Sequence, residues 1–272
     1  MSNSPISASK LDYLLQTLVC KEKEIIDNVF TAFKGRESLN QFISSDLSKL
    51  FGIVAAYIDC FQSLQIKKRD ELSSVLTKYY RAENIEERAN QLLEVETEWD
   101  EMLDQIDKAL FAEQQQQSPT VEMDLCIPLD HATQVESRLD EIKAAGAHVM
   151  LVTFGLLDGA RQWLKETNSS LPFYQDPSRN LYTTFGLSRS VKKVWGMASM
   201  ICYAEHLCSG HTLPKPYENY QEDIFQMGGD FITNQFGSVI FAYCSKTSAD
   251  RPSVDQILYA LQNTTSCESH KR

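Results

Sequence analysis

The sequence predicts an α/β protein in two parts: an all-α helical bundle domain, then a mixed sheet covered by helices. Three observations lead there. No proline stands between Pro5 and Pro119, and the only glycines in that stretch are Gly35 and Gly52, so little interrupts helix. The tract Glu113-Gln114-Gln115-Gln116-Gln117-Ser118-Pro119 has nothing to pack and marks a boundary. Beyond it, short apolar runs alternate with helical periodicity, as strands and helices do in a layered α/β fold. The expected domains are residues 1–113, a linker at 114–119, and residues 120–272.

Helices are expected over residues 9–33, 38–65, 68–80 and 85–113. Leu11, Leu14, Leu15, Leu18 and Ile25 share one face of the first. Leu92, Val95, Trp99, Leu103, Ile106 and Leu110 share one face of the last. Such stripes form the core of an antiparallel bundle, or a coiled-coil surface through which residues 9–113 would bind a protein partner or self-associate.

In the second part a short strand at 120–125 ends at Cys126, and a helix follows over 129–145. Gly146 turns the chain into a strand at 148–153, apolar enough to be a buried parallel strand. A helix over 159–167 and a strand at 171–174 come next. Asp176 then caps a helix, with Pro177 at its first position, that runs to Gly186. A helix at 191–207, read as an insertion, leads to a Pro-containing loop at 210–220. A hairpin from 231–233 to 239–243 turns at 234–237, and Pro252 opens a last helix to about 262.

Composition narrows the function classes. The net charge of −11 and pI near 5.0 argue against nucleic acid or an anionic membrane surface as the main partner. No uninterrupted apolar run approaches a membrane span, and the N-terminus lacks the pattern of a secretory signal or transit peptide. Seven cysteines, an odd number scattered along the chain, read as reduced thiols of a cytoplasmic protein. Cys202, His206, Cys208 and His211 crowd one segment without zinc spacing, so no metal is expected.

Cys126 is the candidate nucleophile. A thiol at the carboxyl end of a strand faces the unpaired N–H groups and partial positive charge of the helix behind it, which stabilise a thiolate. Pro128 fits the first helical turn, where its missing donor costs nothing. Glu122, Asp124 and Asp130 act the other way, since their charges raise a thiol's pKa. The plain reading beside this is a buried structural cysteine. His131, one turn into the helix, is either a base for that thiol or, more simply, a solvent-facing helical residue. Gly228 and Gly229 would let backbone N–H groups approach a ligand closely, or simply begin a strand.

Four pieces resemble the peroxiredoxin-like 2 family, which is of AhpC/TSA type. They are Glu141-Ile142-Lys143-Ala144-Ala145-Gly146, residues 159–167, residues 173–187 with the string D-P-x-R-x-L-Y-x-x-x-G-L, and Gly228-Gly229-Asp230-Phe231-Ile232. The resemblance covers about residues 121–262. It implies a thioredoxin-like fold and thiol-dependent redox chemistry, with no bound cofactor and with thioredoxin or glutathione as reductant. It sets Cys126 on the first cysteine of the active turn and Leu129 on the second, and Gly228-Gly229 where other thioredoxin folds keep a cis-proline. In that fold Cys244 ends a strand parallel to the one bearing Cys126, which makes it a candidate resolving thiol; Cys267 is another. The chain departs from the pattern at Met123, where a peroxide-binding hydroxyl belongs, and at Cys244, where a basic residue aligns. Those departures define a second reading, a non-catalytic adaptor with a degenerate thioredoxin fold and a partner-binding helical domain.

Overall fold

The computed structural model describes residues 6–113, 129–213, 223, 225–248 and 250–268. These fall into two compact units, and the division does not follow chain order. Val191–Leu213 belongs with the N-terminal helices, while residues on either side of it belong with the C-terminal unit.

The first unit is helical. It contains α1 (Ala8–Lys34), α2 (Leu39–Ser45), a 3-10 turn (Leu47–Phe51), α3 (Gly52–Leu64), α4 (Arg69–Tyr79), α5 (Ile85–Glu113), α10 (Val191–Trp195) and α11 (Met197–Cys208). Ser7 and Ser38 cap α1 and α2, accepting from the N–H groups of Lys10 and Gln41 at 3.2 Å each. The single helix expected over 38–65 is three pieces. At Asp46 the chain tightens into 3-10 geometry, which turns Leu47 and Leu50 fully inward. The stretch Leu47–Leu64 is, by length and composition alone, apolar enough to cross a membrane. Its Ile53, Val54, Tyr57 and Phe61 are nonetheless buried in this unit's core.

The buried face of α1 is Leu11, Leu15, Leu18, Val19, Glu22, Ile26, Val29 and Phe33, a helical stripe with one carboxylate in it. Leu14 and Ile25, expected on that face, lie at its margin and are partly exposed. The stripe of α5 is buried as expected from Leu92 to Leu110.

Helices α10 and α11 pack against α5 and α3. Three aspartates of α5 receive them. Asp107 accepts from the N–H groups of Val191 (2.6 Å) and Lys192 (3.2 Å), Asp104 pairs with the Lys192 ammonium (2.7 Å), and Asp100 accepts from Met197 N–H (3.0 Å). The helix expected over 191–207 is broken at Gly196, whose extended backbone (ψ 159°) starts α11 afresh. Asp107→Ala leaves two N–H groups of α10 unpaired and should lower the stability of this unit by about 1 kcal/mol, read as a shift in urea midpoint.

The second unit holds α6 (Leu129–Ser137), α7 (Leu139–Ala144), β1 (Leu151–Thr153), α8 (Leu157–Thr167), β2 (Phe173–Gln175), α9 (Asn180–Thr184), β3 (Gly229–Thr233), β4 (Val239–Cys244) and α12 (Val254–Glu268). Strands β1 and β2 pair in parallel across α8, with Leu151 opposite Phe173. Strands β3 and β4 form the antiparallel hairpin, with Asp230 opposite Tyr243 and an irregularity at Ile232/Thr233. Its turn is held by Asn234 Oδ1, which accepts from Phe236 and Ser238, with Gly237 at φ 79°. Among the described residues these are two separate two-stranded sheets, where the sequence suggested one mixed sheet. The strand expected at 120–125 and the linker at 114–119 lie outside the described residues.

The core of this unit is Val135 and Ile142 against Val254, Leu258 and Leu261, with Val149 and Ile232 packed on the cluster. It joins α6, α7 and α12 to strand residues, and so sets the start of α6 beside the hairpin.

Candidate functional site

Three ionisable side chains meet where α6, β3 and the segment after β4 come together. His131 Nε2 is 2.8 Å from Asp230 Oδ1, and Arg251 Nη1 is 3.5 Å from Asp230 Oδ2. All three are largely buried, with side chains 13%, 22% and 16% exposed. His131 is therefore not the solvent-facing residue its helical position suggests, because Asp230, 99 positions away in sequence, covers it. A carboxylate on Nε2 fixes the orientation of the ring. Asp230 Oδ2 is buried without a hydrogen-bond partner, so its charge rests on the longer ion pair with Arg251.

The hairpin supports this arrangement. Tyr243, opposite Asp230, hydrogen-bonds Asp250 Oδ1 through its hydroxyl at 2.5 Å, and Lys246 N–H donates to Asp250 Oδ2 at 2.8 Å. That bond to Asp250 also raises the tyrosine's pKa. Together they pin the segment carrying Arg251.

Both glycines have packing reasons. A Cβ on Gly228 would stand 2.7 Å from Arg251 Nη2, so the bare backbone lets the guanidinium lie against it. A Cβ on Gly229 would stand 2.5 Å from the Tyr243 carbonyl oxygen and 3.2 Å from Leu187 Cδ2. The first neighbour is backbone and cannot swing away, so Gly229→Ala should cost roughly 1–3 kcal/mol, seen as a lower thermal midpoint. Gly228→Ala should cost less, since Arg251 can shift.

Cys244 pairs with Gly229 in the hairpin register, is exposed, and has its Sγ 3.8 Å from the Phe185 carbonyl oxygen. Cys126 and Pro128 lie outside the described residues, as do the side chains of Leu129, Asp130 and Cys267. Of the other thiols, burial pushes Cys60 up to about 12 and also raises Cys202 and Cys208, with Glu205 adding to the latter two. Those three are poor nucleophiles. His206 and His211 stack at 4.5 Å between centroids. No group of three or more His, Cys, Asp or Glu among the described residues is placed to hold a metal.

The D-P-x-R-x-L-Y string is mostly architecture. Asp176, 5% exposed, accepts from the N–H groups of Asn180 (3.0 Å) and Leu181 (2.7 Å), so it caps α9 from four residues upstream. The helix therefore starts later than Pro177, with Arg179 in left-handed backbone geometry at φ 55°. Arg179 is no free surface residue either. Its guanidinium covers the Phe154 ring at 4.5 Å and pairs with Asp223 at 2.6 Å, which also binds Arg189 at 2.6 Å. Tyr182 donates to the Val152 carbonyl at 3.0 Å, tying α9 to β1.

Asp230 and Arg251 were not visible as site residues in the sequence. Asp230 follows the Gly-Gly pair, and only the paired hairpin reveals that it points at α6.

Residues 134–247 match the family described as AhpC/TSA antioxidant enzyme. That region is a peroxiredoxin-like, AhpC/TSA-type region, and the family implies a thioredoxin-like fold for it. The match takes in Asp230 and Cys244 and begins after Cys126, Pro128 and His131. No curated protein and no solved structure matches the chain.

Proposed function

We propose that the chain is a thiol-dependent redox protein, a peroxiredoxin-like antioxidant or disulfide reductase, with Cys126 as nucleophile and Cys244 as resolving thiol. The observation that carries this reading is the AhpC/TSA match over residues 134–247, which at family level points to thiol redox chemistry. In the peroxidase form the Cys126 thiolate attacks one peroxide oxygen. The O–O bond breaks, the sulfur becomes a sulfenic acid, and the departing oxygen takes a proton to leave as alcohol or water. A second thiol then displaces water from the sulfenic acid to give a disulfide, which thioredoxin or glutathione reduces. His131, five residues after Cys126 and paired with Asp230, is the nearest group in sequence suited to hold the proton exchanged at sulfur. The reading requires a reducing compartment such as the cytosol and no bound cofactor.

One observation favours the adaptor reading. His131 and Arg251 both face Asp230, so the carboxylate already engages the basic side chains beside the start of α6. The deciding experiment is the rate of Cys126 alkylation against pH. It uses a full-length variant with Cys20, Cys202, Cys208, Cys244 and Cys267 changed to serine and buried Cys60 to alanine. Redox function predicts a midpoint below about 7 and loss of the thiol on adding peroxide. A midpoint at or above about 8.5, or no labelling without denaturant, leaves the adaptor.

A further inference from the structure

Glu22 occupies a core position of α1, between Leu18 and Ile26 on the buried stripe. It is fully buried, and among the described residues neither of its oxygens has a hydrogen-bond partner of good geometry, although the Tyr57 hydroxyl is close enough to lower its pKa. The groups facing it come from three other helices: Tyr57 and Cys60 on α3, Arg69 at the start of α4, and Glu96 on α5, where Asp100 adds its charge to Glu96. Helix α2 has no titratable residue, and Lys49 of the 3-10 turn is exposed and paired with Asp46. The Tyr57 hydroxyl lies near both carboxyls, but its hydrogen bond goes to Glu96 Oε1 at 2.5 Å. Burial, with Glu96 second, pushes the Glu22 carboxyl up to about 8, so it is neutral in this arrangement at pH 7.

Arg69 is paired on one side only. Its Nη2 lies 2.7 Å from Glu96 Oε1, while its Nη1 is buried with no hydrogen-bond partner. One core cluster thus holds two unpaired oxygens on Glu22, one of them carrying the proton, and an unmet donor on Arg69. Unmet buried polar groups are costly and call for an explanation, and a second arrangement that pairs Glu22 with Arg69 supplies one. The element that would move is also evident. Helix α4 buries only Leu72, and its first residue is Arg69 itself, whose N–H donates to Glu205 Oε1 of α11 at 2.7 Å.

We propose that the helical unit contains a proton-operated switch: loss of the Glu22 proton draws the unpaired arm of Arg69 to Glu22. The guanidinium then bridges Glu22 and Glu96, carries the first turn of α4 towards α1, and changes the Arg69–Glu205 contact that ties α4 to α11. The proton returns to solvent and no other group is consumed. The ionised state is populated about tenfold more for each pH unit gained on the acid side of the midpoint.

The test is a pH titration from 6 to 10 of the full chain with carbon-13 in the leucine methyl groups and glutamate carboxyls. The Leu72 methyls and the Glu22 carboxyl should titrate together near pH 8, and Glu22→Gln, which keeps the shape and removes the proton, should abolish the Leu72 transition. Three results would overturn the switch. They are a Leu72 signal flat across the range, one that titrates unchanged in Glu22→Gln, or one that moves in concert with Leu11 and Leu15, which is unfolding of the unit.

Discussion

Trp195→Ala is expected to cost the helical unit about 4 kcal/mol, as large aromatic truncations in a packed core do. Trp195 is 1% exposed, meets the Phe51 ring edge-on at 6.3 Å and 87°, and accepts the Trp99 indole N–H on its carbonyl at 2.9 Å. It anchors a segment that lies 78 positions beyond the end of α5 (191 against 113) and yet completes the same core. Urea unfolding followed by far-ultraviolet circular dichroism reads the loss directly. The same packing predicts that residues 1–113 alone will show helix without a cooperative transition, because the α3 and α5 faces that receive α10 and α11 stay open. A change under about 1 kcal/mol in Trp195→Ala would mean that the segment only lies on a finished bundle.

The second large effect is a gain. Glu22→Gln should stabilise the helical unit by about 3 kcal/mol at pH 7. The sign follows from linkage. The free carboxyl titrates near 4.5 and the buried one near 8. Below the first value both states hold the proton and the group costs nothing in charge. Between the two values only the folded state keeps it, so stability falls by about 1.4 kcal/mol per pH unit, then levels off above the second. Glutamine removes that fall while keeping the side chain's shape. Urea midpoints at pH 5 and pH 8 should therefore differ in the native chain and converge in the variant. Equal pH slopes in both chains would show that Glu22 is hydrated and titrates normally.

The parts legible in the sequence were those set by local periodicity. Helices α1, α4 and α5 lie within a residue or so of the expected spans, and the parallel β1–β2 pair and the hairpin were recognisable from apolar runs and turn residues. The breaks at Asp46, Arg138 and Gly196 were not. Each interrupts a stretch whose own spacing remains helical, and the reason for the break is what the next turn must bury. The stripe on α1 shows the same limit from the other side. Leu11, Leu15 and Leu18 were countable as a face, but Ile25 was counted where the structure buries Ile26, and the buried spacing 18–22–26 puts Glu22 on the stripe. Apolar counting alone passes over a carboxylate in that position.

What the sequence determined by itself was the class of each half, an acidic helical part and an α/β part with the AhpC/TSA pattern, because amphipathic spacing and turn chemistry act between near neighbours. What only the tertiary structure decided was which distant groups share an environment. His131 meets Asp230 and Arg251, Arg179 meets Asp223, Glu22 meets Glu96 and Arg69, and residues 191–213 join the helices rather than the sheets. The physical reason is that a charged side chain carries no mark in sequence of whether water or a counter-charge will face it. Chain topology makes that choice, and burial then sets each group's chemistry.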